Sequence, residues 1–287
     1  MSERAVSQRV AVRKTYKLFI GGAFPRSESG RSYEVRDARG NFLANAALAS
    51  RKDVRDAVSA ARKAFGGWSG RTPYNRGQIL YRIAEMLEGR RGQFADEVRA
   101  TGASRAAAEA EVDAAIDRWV WYAGWADKIA AVAGSANPVA GPFFNFSTPE
   151  PMGVVGIVAP DAALLGLASV VAPAIVTGNT CVVVAGQPLV AVTLAEVLAT
   201  SDLPGGVVNI LTGRRAELAP WLASHMDVNA IDLAGAEDDL AVACAEAAAA
   251  NLKRVLRPAP VDWTADPGTG RLTAFLETKT VWHPVGS

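Results

Sequence analysis

From residue 153 onward, short, mostly apolar runs alternate with longer segments of helical character. The runs are VVGIVA (154–159), TCVVVA (180–185), VVNIL (207–211) and AIDLA (230–234), beginning 26, 27 and 23 residues apart. A strand with one wet face alternates apolar and polar positions; runs this continuous predict strands covered on both faces, as in a parallel sheet between helical layers. Thr-Gly-Asn at 177–179 and Leu-Pro-Gly-Gly at 203–206 supply turns between the segments. Right-handed crossovers then give an open, doubly wound parallel sheet, an α/β fold.

Upstream the pattern differs. KLFIGGAFPRS and RSYEVRDARGNFLANAALAS alternate in short stretches broken by Gly-Gly and Arg-Gly, which predicts small antiparallel strands. A helix is predicted over 51–68, with Asp53 near its start, Val54, Val58, Ala61 and Phe65 on one face, and Gly66-Gly67 as its stop. A second fits 74–89, with Ile79, Leu80, Ile83 and Leu87 aligned and Gly89 at its end. The alanine-rich segment 91–130 suggests two more, the second carrying Trp119, Trp121, Tyr122 and Trp125 as packing residues rather than a ligand cage. At 134–150, Pro, Gly and Asn flank the aromatic run FFNF, which reads as an exposed hairpin or arm. From Arg271 to Pro284 alternation returns, with Leu272, Leu276 and Trp282 on one face and Phe275 and Val281 on the other. The expected organisation is a disordered tail (1–14), N-terminal strands and helices (15–133), an arm (134–150), the parallel sheet (151–256), and a linker with a terminal strand (257–287).

Composition narrows the function classes. The 287 residues carry 30 basic and 29 acidic side chains, a formal charge of +1, which leaves no electrostatic footprint for nucleic acid. Half the residues are hydrophobic and the mean hydropathy is +0.12, enough for a sizeable core, yet no 18-residue apolar run suggests a membrane span. The basic N-terminus lacks the apolar centre of a signal peptide, so a cytoplasmic protein is expected. Two cysteines and two histidines argue against a metal site. Cys181 and Cys244 sit in apolar or alanine-rich runs and read as small buried hydrophobes. His225 and His283 lack ligand spacing and read as helix or loop surface and strand edge.

In a doubly wound sheet a ligand sits at the carboxyl ends of the strands, here Ala159-Pro160-Asp161, Ala185-Gly186-Gln187, Thr212-Gly213 and Gly235-Ala236. Neither GxGxxG nor GxxxxGK[ST] is present. Periodicity therefore gives a nucleotide-type fold without a recognisable phosphate cradle, and such folds serve many functions.

Several motifs in order resemble the NAD(P)-dependent aldehyde dehydrogenase superfamily: LFIGGAF, AARKAFGGWSGRTPYNRGQILYRIAEMLE, PMGVVGIVAP, APAIVTGNT, LPGGVVNILTG, ASHMDVNAIDLAG and AANLKRV. The similarity runs from about 16 to 256 and resumes at 272–285, where FLETKTVWHP resembles the family's closing strand. It looks most similar to truncated, pseudo-aldehyde-dehydrogenase forms that lack the catalytic domain.

The resemblance implies a chemistry that these residues only partly support. The family's PWNFP loop supplies an oxyanion-binding Asn; here the loop reads Pro160-Asp161-Ala162-Ala163-Leu164-Leu165, without an Asn, and losing one such donor costs other enzymes roughly 10²–10³ in rate. Val184 stands where the family's VVLKPAE places a ribose-binding Lys, and Gln187 lies near its Glu. The family's FTGS turn reads Leu233-Ala234-Gly235-Ala236, followed by Glu237 and Asp238, whose charge opposes a pyrophosphate or simply suits the first turn of a helix. After AANLKRV come Leu256-Arg257-Pro258-Ala259-Pro260-Val261-Asp262-Trp263 in place of a general-base Glu and a nucleophilic Cys. A thiolate beside a base is thus missing. No catalytic residue is assigned, and the vestigial cofactor positions are Pro160, Gly213 and Gly235.

What the family uses for assembly survives: its closing strand and the hairpin before the cofactor domain form a sheet joining subunits. Three functions follow. The first is a non-catalytic subunit assembling as a homo-oligomer, or as a hetero-oligomer with a full-length aldehyde dehydrogenase, with no bound cofactor. The second is an NAD(P)-binding oxidoreductase subunit contributing to activity within a complex. The third is a small-ligand binding module using the vestigial cleft. Loss of the catalytic lobe is further expected to bare apolar surface on the sheet domain, favouring an obligate oligomer.

Overall fold

A computed structural model describes residues 12–286. The expected tail, 1–14, falls mostly outside that range, and the part within it is anchored. Lys14 Nζ lies 2.5 Å from Glu196, and the Arg13 guanidinium sits 4.9 Å above the Phe42 ring.

Three short strands come first: β1 (Thr15–Tyr16), β2 (Ser32–Arg36) and β3 (Phe42–Ala47), in the order β1-β3-β2. β2 runs antiparallel to β3 as expected, but β1 pairs with it in parallel. The LFIGG stretch departs further from a free hairpin. Phe19 exchanges backbone bonds of 2.9 and 2.8 Å with Ile210, extending the edge of the main sheet.

Helix α1 (Arg51–Ser69) does not stop at Gly66-Gly67 but continues to a cap at Gly70. The reason is Trp68, 1% exposed, whose Nε1 donates to the Ile175 carbonyl at 2.8 Å. Burying an indole and satisfying its N–H outweighs the roughly 1 kcal/mol that each helical glycine costs. α2 (Pro73–Glu88) begins with Pro at its first position under a Thr72 cap, an arrangement that suits a missing N–H. The segment 91–130 divides into three helices rather than two: α3 (Arg91–Ala100), α4 (Arg105–Ala123) and α5 (Ile129–Ala133). Gly102, at φ +109°, makes the first break, and Ser104 caps α4 by accepting from Ala107 N. Trp119 and Tyr122 are fully buried, so the aromatic stripe is packing.

The arm forms β4 (Ser135–Asn137) and β5 (Phe143–Pro151), followed by β6 (Val154–Val158), α6 (Leu164–Val176), β7 (Thr180–Ala185), α7 (Pro188–Ala199), β8 (Val208–Thr212), α8 (Arg215–Ser224), β9 (Ala230–Asp232), α9 (Asp238–Ala249) and β10 (Arg254–Leu256). The main sheet is all parallel in the order β10-β9-β6-β7-β8. The four expected strands are therefore present and buried at every position; β10, with only three residues, was not anticipated. The chain proceeds from β6 outward to β8, then returns to the other side of β6 as β9. The switch point, where ligands enter such sheets, thus lies between β6 and β9.

The terminal segment corrects the expectation most. Arg271 to Phe275 is not strand: α10 (Gly270–Thr273) intervenes, and Leu272 and Phe275 sit in the main core at 0% and 1% exposure. Only β11 (Leu276–Pro284) is strand, exposed at most positions and paired antiparallel with β5 along its whole length in a sheet ordered β11-β5-β4. Among the described residues no helix is long and apolar enough to cross a membrane.

Candidate functional site

Four turns meet above the carboxyl ends of β6–β9. Gly235 is there because nothing larger fits: its N–H donates to Val158 O at 2.9 Å, and a Cβ would stand 1.9 Å from Ala159 O and 2.9 Å from Pro160 Cα. The turns after β9 and β6 therefore touch backbone to backbone, and Pro160 is buried in that contact. Gly213, at φ +151°, makes the turn from β8 into α8 against the Ala49 amide. So Pro160 and Gly235 come together, whereas Gly213 packs at the far side of β7.

Between them stands a side chain that the sequence did not single out. Arg215, in the first turn of α8, lies over Gly186, where a Cβ would fall 2.4 Å from Nη2 and 2.9 Å from Cζ. Its Nη2 donates to Asp161 Oδ1 at 2.7 Å, bridging the turn after β8 to the loop after β6. Its buried Nε has no hydrogen-bond partner. Val184 does not reach this space; it is fully buried with Leu18, Val54 and Leu211. Gln187 lies at the start of α7, lining a 230 Å³ cavity with Glu97.

Both helix starts at the switch point face carboxylates. Glu111 of α4 accepts from the backbone amides of Leu164 and Leu165 at 2.9 and 3.4 Å, capping α6, whose own Ala163 cannot. Glu237 occupies the cap position of α9, with Asp238 and Asp239 in its first turn.

Beside β9 is a buried ionic group. Asp232 is fully buried and pairs with Arg271, whose guanidinium lies 5.2 Å over the Trp263 ring. Burial pushes the Asp232 carboxyl above its usual range, against the opposing pull of Arg271. Arg118 completes the group, donating to Ser169 Oγ and to the Trp263 and Ala265 carbonyls at 3.2, 2.8 and 2.9 Å. Burial also pushes the neighbouring Tyr122 phenol up to about 12. An aspartate inside the apolar run AIDLA was the available signal for this group, since a charge is tolerated there only with a partner.

The cysteines offer no nucleophile. Both are fully buried, and burial raises the Cys181 thiol and pushes Cys244 up to about 11, leaving little thiolate near neutrality. His225 caps the end of α8 and His283 lies exposed in β11. Among the described residues no group of three or more His, Cys, Asp or Glu side chains could hold a metal ion.

Comparison with known proteins places this geometry. The profile of the "Aldehyde dehydrogenase family" matches residues 24–257. "Aldehyde dehydrogenase, cytosolic 1" of Elephantulus edwardii is 34% identical over 248 residues, covering 83% of this chain and 49% of that protein. "Cytosolic 10-formyltetrahydrofolate dehydrogenase" of Xenopus tropicalis is 35% identical over 79% of this chain and 26% of its own length. Among solved structures, the NAD+ complex of an aldehyde dehydrogenase from Bacillus cereus superposes with a TM-score of 0.80 at 27% identity, over 84% of this chain and 50% of that one. HpcC from Thermus thermophilus does so at 0.79 and 31%, over 84% and 47%. The chain thus spans about half the length of the first relative and about a quarter of the second.

Proposed function

The chain belongs to the aldehyde dehydrogenase family, and from that premise we propose that it is a non-catalytic subunit, assembling with itself or with a full-length, active relative. The carrying observation is the state of its sulfur. Both thiols are fully buried, one in the middle of the parallel sheet and one inside α9, and burial raises both above the usual thiol range. An aldehyde carbon has no thiolate to meet, and the family's general base has no counterpart after β10.

The β11-β5-β4 sheet is the assembly element in this reading. β11 is its nine-residue edge strand, and an open edge pairs readily with another chain. Phe144, half exposed, and the partly exposed Phe146 and Val281 form an apolar patch on one face. Phe143 and Trp282 meet edge to face at 5.7 Å, with Trp282 58% exposed. A cytosolic location is part of the proposal, supported by the names of the relatives.

Light scattering at micromolar concentration, with pull-down from the source cell, tests it. The expected result is an oligomer or a complex with an active dehydrogenase that disappears when residues 277–287 are removed or Val281→Glu is introduced. A stable monomer without partner, or nicotinamide reduction by the pure chain with an aldehyde, overturns it. A second reading, an NAD(P)-binding subunit that contributes to activity within a complex, has in its favour that the Bacillus cereus relative carries NAD+ on the same fold. Heat of binding with NAD+ or NADP+ supports that reading, and none at millimolar ligand removes it.

A further inference from the structure

We propose that Arg215 and Asp161 latch the carboxyl ends of β6, β7 and β8 beside the switch point, and that the crevice there, occupied by the chain's own side chains, excludes a dinucleotide. A dinucleotide at the carboxyl ends of a parallel sheet needs free approach to backbone and donor-rich helix starts facing its pyrophosphate. Neither is free here.

The approach to β7 is filled. Gly186, the first residue past that strand, has no side chain of its own, and the Arg215 guanidinium occupies the space, 2.4 Å from where a Cβ would be. From there Nη2 reaches Asp161 at 2.7 Å, so one side chain spans from the turn after β8 across β7 to the loop after β6. The Arg215 side chain is 18% exposed, and its Nε is buried without a partner. The guanidinium is held by the carboxylate it pairs with, while its unpaired Nε is a cost of that placement.

The donor ends are occupied too. The first free amides of α6, at Leu164 and Leu165, are taken by Glu111, so the positive end of that helix already faces an anion. α9 opens with Glu237, Asp238 and Asp239, which put negative charge at its start. A pyrophosphate entering here displaces Asp161 or Glu111 and then lies beside two or three carboxylates, where like charge repels it.

Calorimetric titration of NAD+ into the full chain, alongside the variant Arg215→Ala/Glu237→Gln/Asp238→Asn, tests this, with circular dichroism to establish that both are folded. The wild-type chain gives no heat and no shift in melting temperature at millimolar NAD+, and the triple variant gains at least about tenfold in affinity by losing the plug and two opposing charges. Wild-type binding as tight as the variant's overturns the proposal, and so does a folded variant that binds no better than wild type. Should the triple variant not fold, Asp161→Ala alters only a side chain 72% exposed and frees Arg215; a gain in NAD+ binding supports the latch, and none overturns it. Light scattering on the same samples separates this from the proposed function, since a subunit can assemble whether its crevice is latched or open.

Discussion

Glu97 shows what a single buried group contributes. It is 8% exposed, and one oxygen accepts from Thr193 at 2.7 Å and from Tyr16 and Gln93 at 3.3 Å, while Oε2 has no partner. Burial holds its carboxyl above the usual value of about 4.5, against those hydrogen bonds and the charge of Lys14. The fold therefore keeps a proton that the unfolded chain gives up sooner. The stability tied to Glu97 is complete below about pH 4.5 and falls away as pH rises through the folded value. Each tenfold change in proton affinity is about 1.4 kcal/mol. Glu97→Gln is accordingly expected to match wild type near pH 4 and to exceed it in stability at pH 8. Urea midpoints measured across that range check it; a variant less stable at pH 8 contradicts the argument. At this scale the sequence revealed identities but not partners. Gly235 was legible as a glycine at a strand end, whereas its backbone contact with Ala159 was not. Arg215 passed unmarked, because an arginine in an exposed helical turn is ordinary until its guanidinium is seen over Gly186.

Helix α1 illustrates how far an element follows from its own residues. Its start was readable. Ser50 accepts from the amides of Lys52 and Asp53, and Asp53 in turn accepts from Ser50 N at 2.7 Å. Asp53 also accepts from Ser27 Oγ at 2.7 Å and Glu28 N at 3.1 Å, so it ties the preceding loop to the helix. Ser50→Ala is expected to cost about 1 kcal/mol. Asp53→Ala, which removes the acceptor of three donors, should cost more, about 2 kcal/mol, since a lost buried partner costs about 1–3 kcal/mol and the other two donors can reach water. Chemical denaturation of the two variants ranks them, and equal losses would mean that the loop contacts carry no weight. The helix end was not readable: Gly66-Gly67 signals a stop locally, and only the distant Ile175 carbonyl, reached by Trp68, carries the helix onward. The same holds at 271–275, where alternation suited a strand but Leu272 and Phe275 had a deeper pocket to fill. The mostly apolar runs of the main sheet were predicted well because burial on both faces leaves one reading; β10, which is polar at its start, and the four-residue α10 offer no such run or period.

Over the whole molecule, the face expected to be left bare has a cover of its own. Trp263, Leu272 and Phe275 pack into the main core, and Arg118 on α4 clamps the covering segment by the carbonyls of Trp263 and Ala265. Exposed apolar side chains are instead scattered over several elements, with Phe143, Phe144 and Trp282 together on the small sheet. Phe275 links the layers: its carbonyl accepts from Asn179 Nδ2 at 3.0 Å and from Met152 N at 3.3 Å, joining the main sheet to the β11-β5-β4 sheet. Phe275→Ala is expected to cost about 3–5 kcal/mol. Urea unfolding followed by tryptophan fluorescence and by circular dichroism should then shift as one transition; a loss below about 1 kcal/mol would show that the segment is only draped over the core.

The pairing of β5 with β11 also sets a timetable. Ser147 meets Thr280 across 133 positions of chain, so β5 waits without its longest neighbour for as long as the ribosome takes to make them. At about 5–20 residues per second that is on the order of ten seconds, during which Phe143, Phe144 and Phe146 face whatever is near. Until β11 emerges, the longer edge of that strand stays open to any extended segment that meets it.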